Sequence, residues 1–222
     1  MSPSRWPRSP SRGIVCRHPP SDRGAFHKYN TDLGKFSHGN FDVAYDSRLG
    51  ILQVTLRVTY RFQSGITLAK QNEFKNNLKG AAAAWDNAGV YLRSADPVLN
   101  SVIRIHFKLQ EVASGAHFTI DVEKAYRREW VGYDLNVWED TPKQILIHEL
   151  GHVFGDYDEY RESGFQAWVE RRMYWHDNAY LGDTNALMNK GMEFRGRYFD
   201  HFARYVNQQF HRVGVKYEVY LK

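Results

Sequence analysis

A chain of 222 residues, 42% hydrophobic and 25% charged, has the balance of one ordinary globular domain and is long enough to bury a sizeable core. Its single cysteine, Cys16, excludes an intramolecular disulfide and a thiolate zinc cluster, so any metal must rest on His, Asp or Glu. The net charge of +5 lies entirely within residues 1–30, where six Lys and Arg face one acid, Asp22; the remainder holds 24 basic and 24 acidic residues, which argues against a nucleic-acid binder. Five of the seven prolines (Pro3, Pro7, Pro10, Pro19, Pro20) share that basic stretch. Residues 1–38 therefore read as a disordered Pro/Arg/Ser-rich tail ahead of one domain over 39–222.

After the tail, Leu52, Val54, Leu56, Val58, Tyr60 and Phe62 alternate with polar residues, the pattern of a half-buried strand. Beyond Ser64-Gly65, the three- and four-residue spacing of Phe74, Leu78, Ala81, Ala82 and Trp85 predicts a helix closed by Gly89. Two alternating runs follow, Ile103 to Leu109 and Phe118 to Val122, joined by a turn at Ser114-Gly115 that predicts a hairpin. Leu135 and Val137 mark a short strand. Thr141-Pro142-Lys143-Gln144 then predicts a helix start, with Thr141 as N-cap and Gln144 completing a capping box. This order of elements indicates an α/β layered domain. No run of about eighteen apolar residues exists to span a bilayer. The N-terminus also lacks the apolar stretch of a secretory signal peptide, so an ordinary export route is not expected and localisation stays open.

The second helix carries the chemistry. His148 and His152, four residues apart, project about 40° from one another around a helix and can grip one ion. Glu149 stands about 100° from the first and about 60° from the second. That places its carboxylate beside such an ion, where a general base acting on water belongs. Leu146, Leu150, Val153 and Phe154 would bury the opposite face. Catalytic zinc needs a third protein ligand and an open fourth position. Gly155 suits the left-handed conformation that ends a helix and reverses the chain, which would return Asp158 toward the ion. Neighbouring Asp156 and Glu159, and the distant Glu170 of a gluzincin-type arrangement, are the other acids available for that position. The five-residue core of the motif arises by chance in roughly 2% of chains of this composition, and a correctly placed Gly and Asp lower that to about one in ten thousand.

With His148, Glu149, His152, Gly155 and Asp158 in the form H-E-x-x-H-x-x-G-x-x-D, the segment resembles the metzincin clan of zinc peptidases, in the form that has Asp in place of a third His. The resemblance implies Zn2+ held by His148, His152 and Asp158, Glu149 as catalytic base, and a methionine turn beneath the metal, here Met188 within Asn185-Ala186-Leu187-Met188-Asn189. It also implies a zincin-like fold: a twisted, mostly parallel sheet, two long helices of which the second carries the motif, and a smaller, mainly helical C-terminal subdomain after Gly155. His148 through Tyr160, reading H-E-x-G-H-x-x-G-x-x-D-E-Y, and the basic stretch Arg195–Phe202 are similar to the C-terminal zincin domains of bacterial polymorphic toxins and of contractile-injection or type VI secretion effectors. This likeness spans about residues 40–212. It implies an endopeptidase acting on a protein or peptide substrate, with an immunity protein and a secretion-machine component as partners and export by a specialised injection system.

Several metzincins place a tyrosine two residues after the turn methionine, where this chain has Lys190. The second proton donor is accordingly unassigned among Tyr157, Tyr160 and His176. The reading from another class is a zinc-stabilised binding module without catalysis. The retained Glu149 argues against it, since a structural site needs no base.

Overall fold

The computed structural model describes residues 41–46, 49–99, 101–125, 135–156, 159–160, 180–210 and 215–222. The expected tail over 1–38, Cys16 included, lies outside them. The described chain is mixed α/β, with a seven-stranded sheet and three α-helices. The strands are β1 (Asp42–Asp46), β2 (Ile51–Phe62), β3 (Val90–Ser94), β4 (Val102–Glu111), β5 (Phe118–Glu123), β6 (Leu135–Trp138) and β7 (Tyr217–Leu221). The helices are α1 (Leu68–Asp86), α2 (Lys143–Phe154) and α3 (Asp200–Phe210), the last entered through a 3-10 turn over Gly196–Phe199. None of the described helices is long and apolar enough to cross a membrane.

The sheet order is β6-β5-β2-β4-β3-β7, with β1 also on β2. Its centre is parallel (β2 with β4, β2 with β5, β5 with β6), while β1 on β2 and β3 with its neighbours are antiparallel. Alternation in β2 does what it predicts: Leu52, Val54, Leu56 and Val58 are buried. The expected hairpin between β4 and β5 does not form, and the two strands lie on opposite edges of β2. The carbonyls of Gly50 and Val58 accept from Arg104 and Val112 on the β4 side, whereas the carbonyl of Arg57 accepts from His117 on the other. The cause is the length of β2. Along that second edge β1 pairs only with Ile51 to Thr55, and β5 takes over from Val58 to Phe62, so backbone groups that a hairpin would leave bare are paired. Arg57 pins the crossing connection, donating from its guanidinium to the Gly115 carbonyl and to Asp42 (2.9 Å) while its amide donates to His117 Nδ1 (3.0 Å).

Helix α1 is capped by the Thr67 hydroxyl, which accepts from the Lys70 amide, and it buries Phe74, Leu78, Ala81, Ala82 and Trp85, the five positions its spacing marks. Trp85 is the hub of the core. Its ring lies against Phe107 of β4, Phe154 of α2, Phe194 and Phe199, and its indole N–H donates to the Ile147 carbonyl (2.8 Å), fixing α1 to α2 one residue before His148. Helix α2 begins where expected, but Thr141 does not cap it. The threonine hydroxyl donates to the Trp138 carbonyl (2.6 Å) and accepts from the Trp138 amide (2.9 Å), closing the tight turn from β6, and Pro142 precedes the helix with no side-chain cap. After α3 the chain returns to the sheet, where β7 pairs with β3, so the part following Gly155 is anchored by a strand as well as by helix.

Candidate metal centre

Helix α2 buries Leu146, Ile147, Leu150, Gly151, Val153 and Phe154, leaving His148, Glu149 and His152 half-buried on the other side. One ligand-type atom from each of these three lies within 4.8 Å of the others, and among the described residues this is the group that could hold a metal ion. The two rings stand nearly perpendicular, 87° apart, with centroids separated by 4.9 Å.

What fixes those rings comes from backbone. His148 Nδ1 lies 2.9 Å from the Leu187 carbonyl oxygen, and His152 Nδ1 lies 2.9 Å from the Asp156 carbonyl oxygen. A carbonyl can only accept, so each Nδ1 carries a proton, which leaves Nε2 as the ring nitrogen through which each imidazole would bind an ion. That is the tautomer a metal-binding histidine needs, with the second partner that orients it. Gly155 makes the His152 contact possible. At φ 104°, ψ 10° it is left-handed, and it turns the chain so that the Asp156 amide donates to Gly151 while its carbonyl comes back to the imidazole. Two imidazole nitrogens are donors that suit zinc, and the nearby Glu149 carboxylate stands where a base acting on water belongs.

Met188 is fully buried beneath α2. A Cβ built on Gly151 would meet its sulfur at 2.3 Å and Trp85 Cζ2 at 3.3 Å, so Gly151 is the position that lets the methionine turn approach the helix this closely. The turn closes on itself through the Leu187 amide to the Glu193 carbonyl, the Glu193 amide to the Asn185 carbonyl and the Gly191 amide to the Ala186 carbonyl.

Of the acids weighed as third ligand, Glu159 is taken. Its carboxylate accepts from Arg197 Nε and Nη2, both at 2.6 Å, and from the Tyr198 hydroxyl at 3.0 Å, and the residue is 5% exposed, so it is excluded as a metal ligand. Its amide donates to the Met188 carbonyl (2.6 Å) and its carbonyl accepts from Asn189 Nδ2 (2.9 Å), which joins this segment to the methionine turn. Asp156 is also buried. Asp158 and Glu170 lie outside the described residues, as do Tyr157 and His176. Tyr160 is described, with its ring centroid 6.2 Å from that of His148. Lys190 is exposed.

The basic stretch after the turn serves acids within the protein. Arg195 grips Asp183 with two bonds of 2.8 Å, and Arg197 adds a third of 2.9 Å. The Arg195 bond first, then that from Arg197, holds the Asp183 carboxyl well below the usual carboxylate range. Burial would lower the Arg197 pKa, but its bonds to Glu159 and Asp183 outweigh that, and the guanidinium stays charged. Burial, reinforced by the Glu159 carboxylate, raises the Tyr198 phenol above its ordinary value and keeps it a neutral donor. No sequence signal separated these residues from an ordinary basic helix; only the acids that the fold brings to them do.

No protein-family model, curated protein or solved structure matches this chain.

Proposed function

We propose that the protein is a zinc-dependent endopeptidase of metzincin type, with a zincin-like fold, acting as a bacterial toxin or effector. The observation that carries the reading is the pair of imidazoles on one face of α2, both with Nδ1 committed to a carbonyl, beside the carboxylate of Glu149. The methionine turn packed under Gly151 supports the clan likeness, and the H-E-x-G-H-x-x-G-x-x-D-E-Y string from His148 to Tyr160 supports the effector likeness.

His148 and His152 would hold the ion through the ring nitrogens not bonded to carbonyls, with Asp158 as the proposed third ligand. Bound zinc supplies a Lewis acid that polarises the scissile carbonyl and acidifies a water. Glu149 takes a proton from the attacking water as its oxygen bonds to the carbonyl carbon. It delivers that proton to the amide nitrogen as the C–N bond breaks, leaving a new carboxyl group and a free amine. Half-burial of the three side chains lets a substrate reach them while α2 is held from behind.

Metal content by mass spectrometry and hydrolysis of a denatured protein substrate test the reading together. Wild-type protein carries one equivalent of zinc and cleaves; Glu149→Gln keeps the zinc and loses cleavage; His148→Ala loses both. An active Glu149→Gln enzyme, or a wild type that takes up no zinc, ends the hypothesis. Expression in a bacterial host tests the effector role, since growth should be arrested by wild type and spared by Glu149→Gln.

A further inference from the structure

We propose that Arg197 is a positioning residue for the metal centre, holding the His148 imidazole in place through Glu159 and the methionine turn. The inference rests on the zinc reading above and deepens it. A continuous chain of contacts carries it. Arg197 makes two bonds to the Glu159 carboxylate; the Glu159 amide donates to the Met188 carbonyl, and its own carbonyl is held by Asn189; the neighbouring Leu187 carbonyl accepts from His148 Nδ1. Tyr198 closes a loop, donating to Glu159 and accepting from the Met188 amide at 3.2 Å. Arg197 is braced from the far side by Asp183 (2.9 Å) and by the Tyr180 ring, 4.1 Å from its guanidinium carbon. Two successive carbonyls of the turn, Leu187 and Met188, thus serve the first histidine and the strut.

The chemistry of the pair points to geometry rather than stability. A buried ion pair gains little over apolar residues of similar volume, because removing both charges from water costs about as much as their attraction returns. A planar fork on a carboxylate does fix direction, which an apolar pair cannot. Losing the group bonded directly to a metal-binding histidine commonly costs about 10–100-fold in metal affinity, which bounds from above the effect of Arg197, acting on that group through Glu159 and the turn.

The test uses the full chain. Zn2+ affinity is measured by competition with a chromophoric chelator, Co2+ is substituted and its visible spectrum recorded, and the urea midpoint of the metal-free protein is read beside them. Glu159→Met/Arg197→Met should leave the metal-free midpoint near that of wild type while zinc affinity falls about 10-fold, the lower end for a histidine's own partner, and the Co2+ bands shift. Wild-type affinity in this double variant overturns the proposal. If the double variant does not fold, Arg197→Lys decides: it keeps the charge but loses the fork, and weakened zinc binding at an unchanged midpoint supports positioning, whereas unchanged binding overturns it. A wild type without zinc affinity refutes the metal centre itself, a result distinct from a variant that binds as well as wild type does.

Discussion

Gly151→Ala sets two known effects against each other at one atom. Exchanging an interior helical glycine for alanine should stabilise by about 1 kcal/mol, because alanine loses less backbone freedom on folding. Here the new methyl would lie 2.3 Å from Met188 Sδ and 3.0 Å from its Cε, against an ordinary separation of about 3.5–4.0 Å, so the thioether must retreat by more than about 1 Å. Met188 is fully buried, and its neighbour Leu187 holds His148, so there is little room to yield. Overpacking of this kind costs about 1–3 kcal/mol, which predicts a net loss of roughly 0–2 kcal/mol. Met188→Ala alone should cost about 2–5 kcal/mol. Adding Gly151→Ala to it should return up to about 1 kcal/mol, since the methyl enters vacated space and the alanine preference is no longer opposed. Urea unfolding followed by circular dichroism, at constant slope, gives all four corners of the cycle. A single Gly151→Ala variant more stable than wild type by the full alanine preference would refute the close approach of turn and helix.

Other perturbations follow from the same packing. A Cβ on Gly191 would fall 1.9 Å from the Asn185 carbonyl oxygen and 2.1 Å from its carbon, and backbone cannot swing aside as a side chain can, so Gly191→Ala should collapse the turn; zinc retention near wild type would contradict this. The Asp183 carboxyl is held below its unfolded value, so its contribution is present above about pH 4 and is lost as acid titrates it through the depressed folded value. Wild type should therefore lose urea resistance on acidification more steeply than Asp183→Asn. Identical pH slopes for the two would show that the carboxylate contributes nothing.

How much could be read beforehand depended on how local the signal was. Helix α1, β2 and α2 are written in patterns a few residues wide, and Gly155 announces its own left-handed turn, so these were legible. Strands β1, β3 and β7 are five residues each, too short for alternation to stand out; β1 pairs with the next strand β2, whereas β3 and β7 find each other across more than a hundred residues. The pairing of β4 and β5 failed for the same reason: alternation identifies a strand, and a turn suggests reversal, but the partner was decided by the uncovered edge of β2. Thr141 was claimed by Trp138 because its hydroxyl reaches the tight turn that leads into the helix. At the site, two histidines and a glutamate were visible from spacing alone. Position after Gly155 singled out Asp158, with Asp156 and Glu159 beside it as alternatives, and what engages Glu159 is an arginine and a tyrosine nearly forty positions later, at separations of 38 and 39.

The ladder between β7 and β3 bears on when the protein becomes competent. A Cβ built on Gly196 would meet Val219 Cγ1 at 3.5 Å, and Asn207 bonds both the amide and the carbonyl of Tyr217, so the stretch bearing Arg197 and Tyr198 is seated beside the last strand of the sheet. Pairing between segments this remote in sequence carries a large closure entropy and forms late. The segment proposed to brace the imidazoles is thus tied to the pairing of greatest sequence separation in the sheet. On the proposed zinc reading, tight ion capture would require β7 to have docked on β3 and so would report that the sheet is complete.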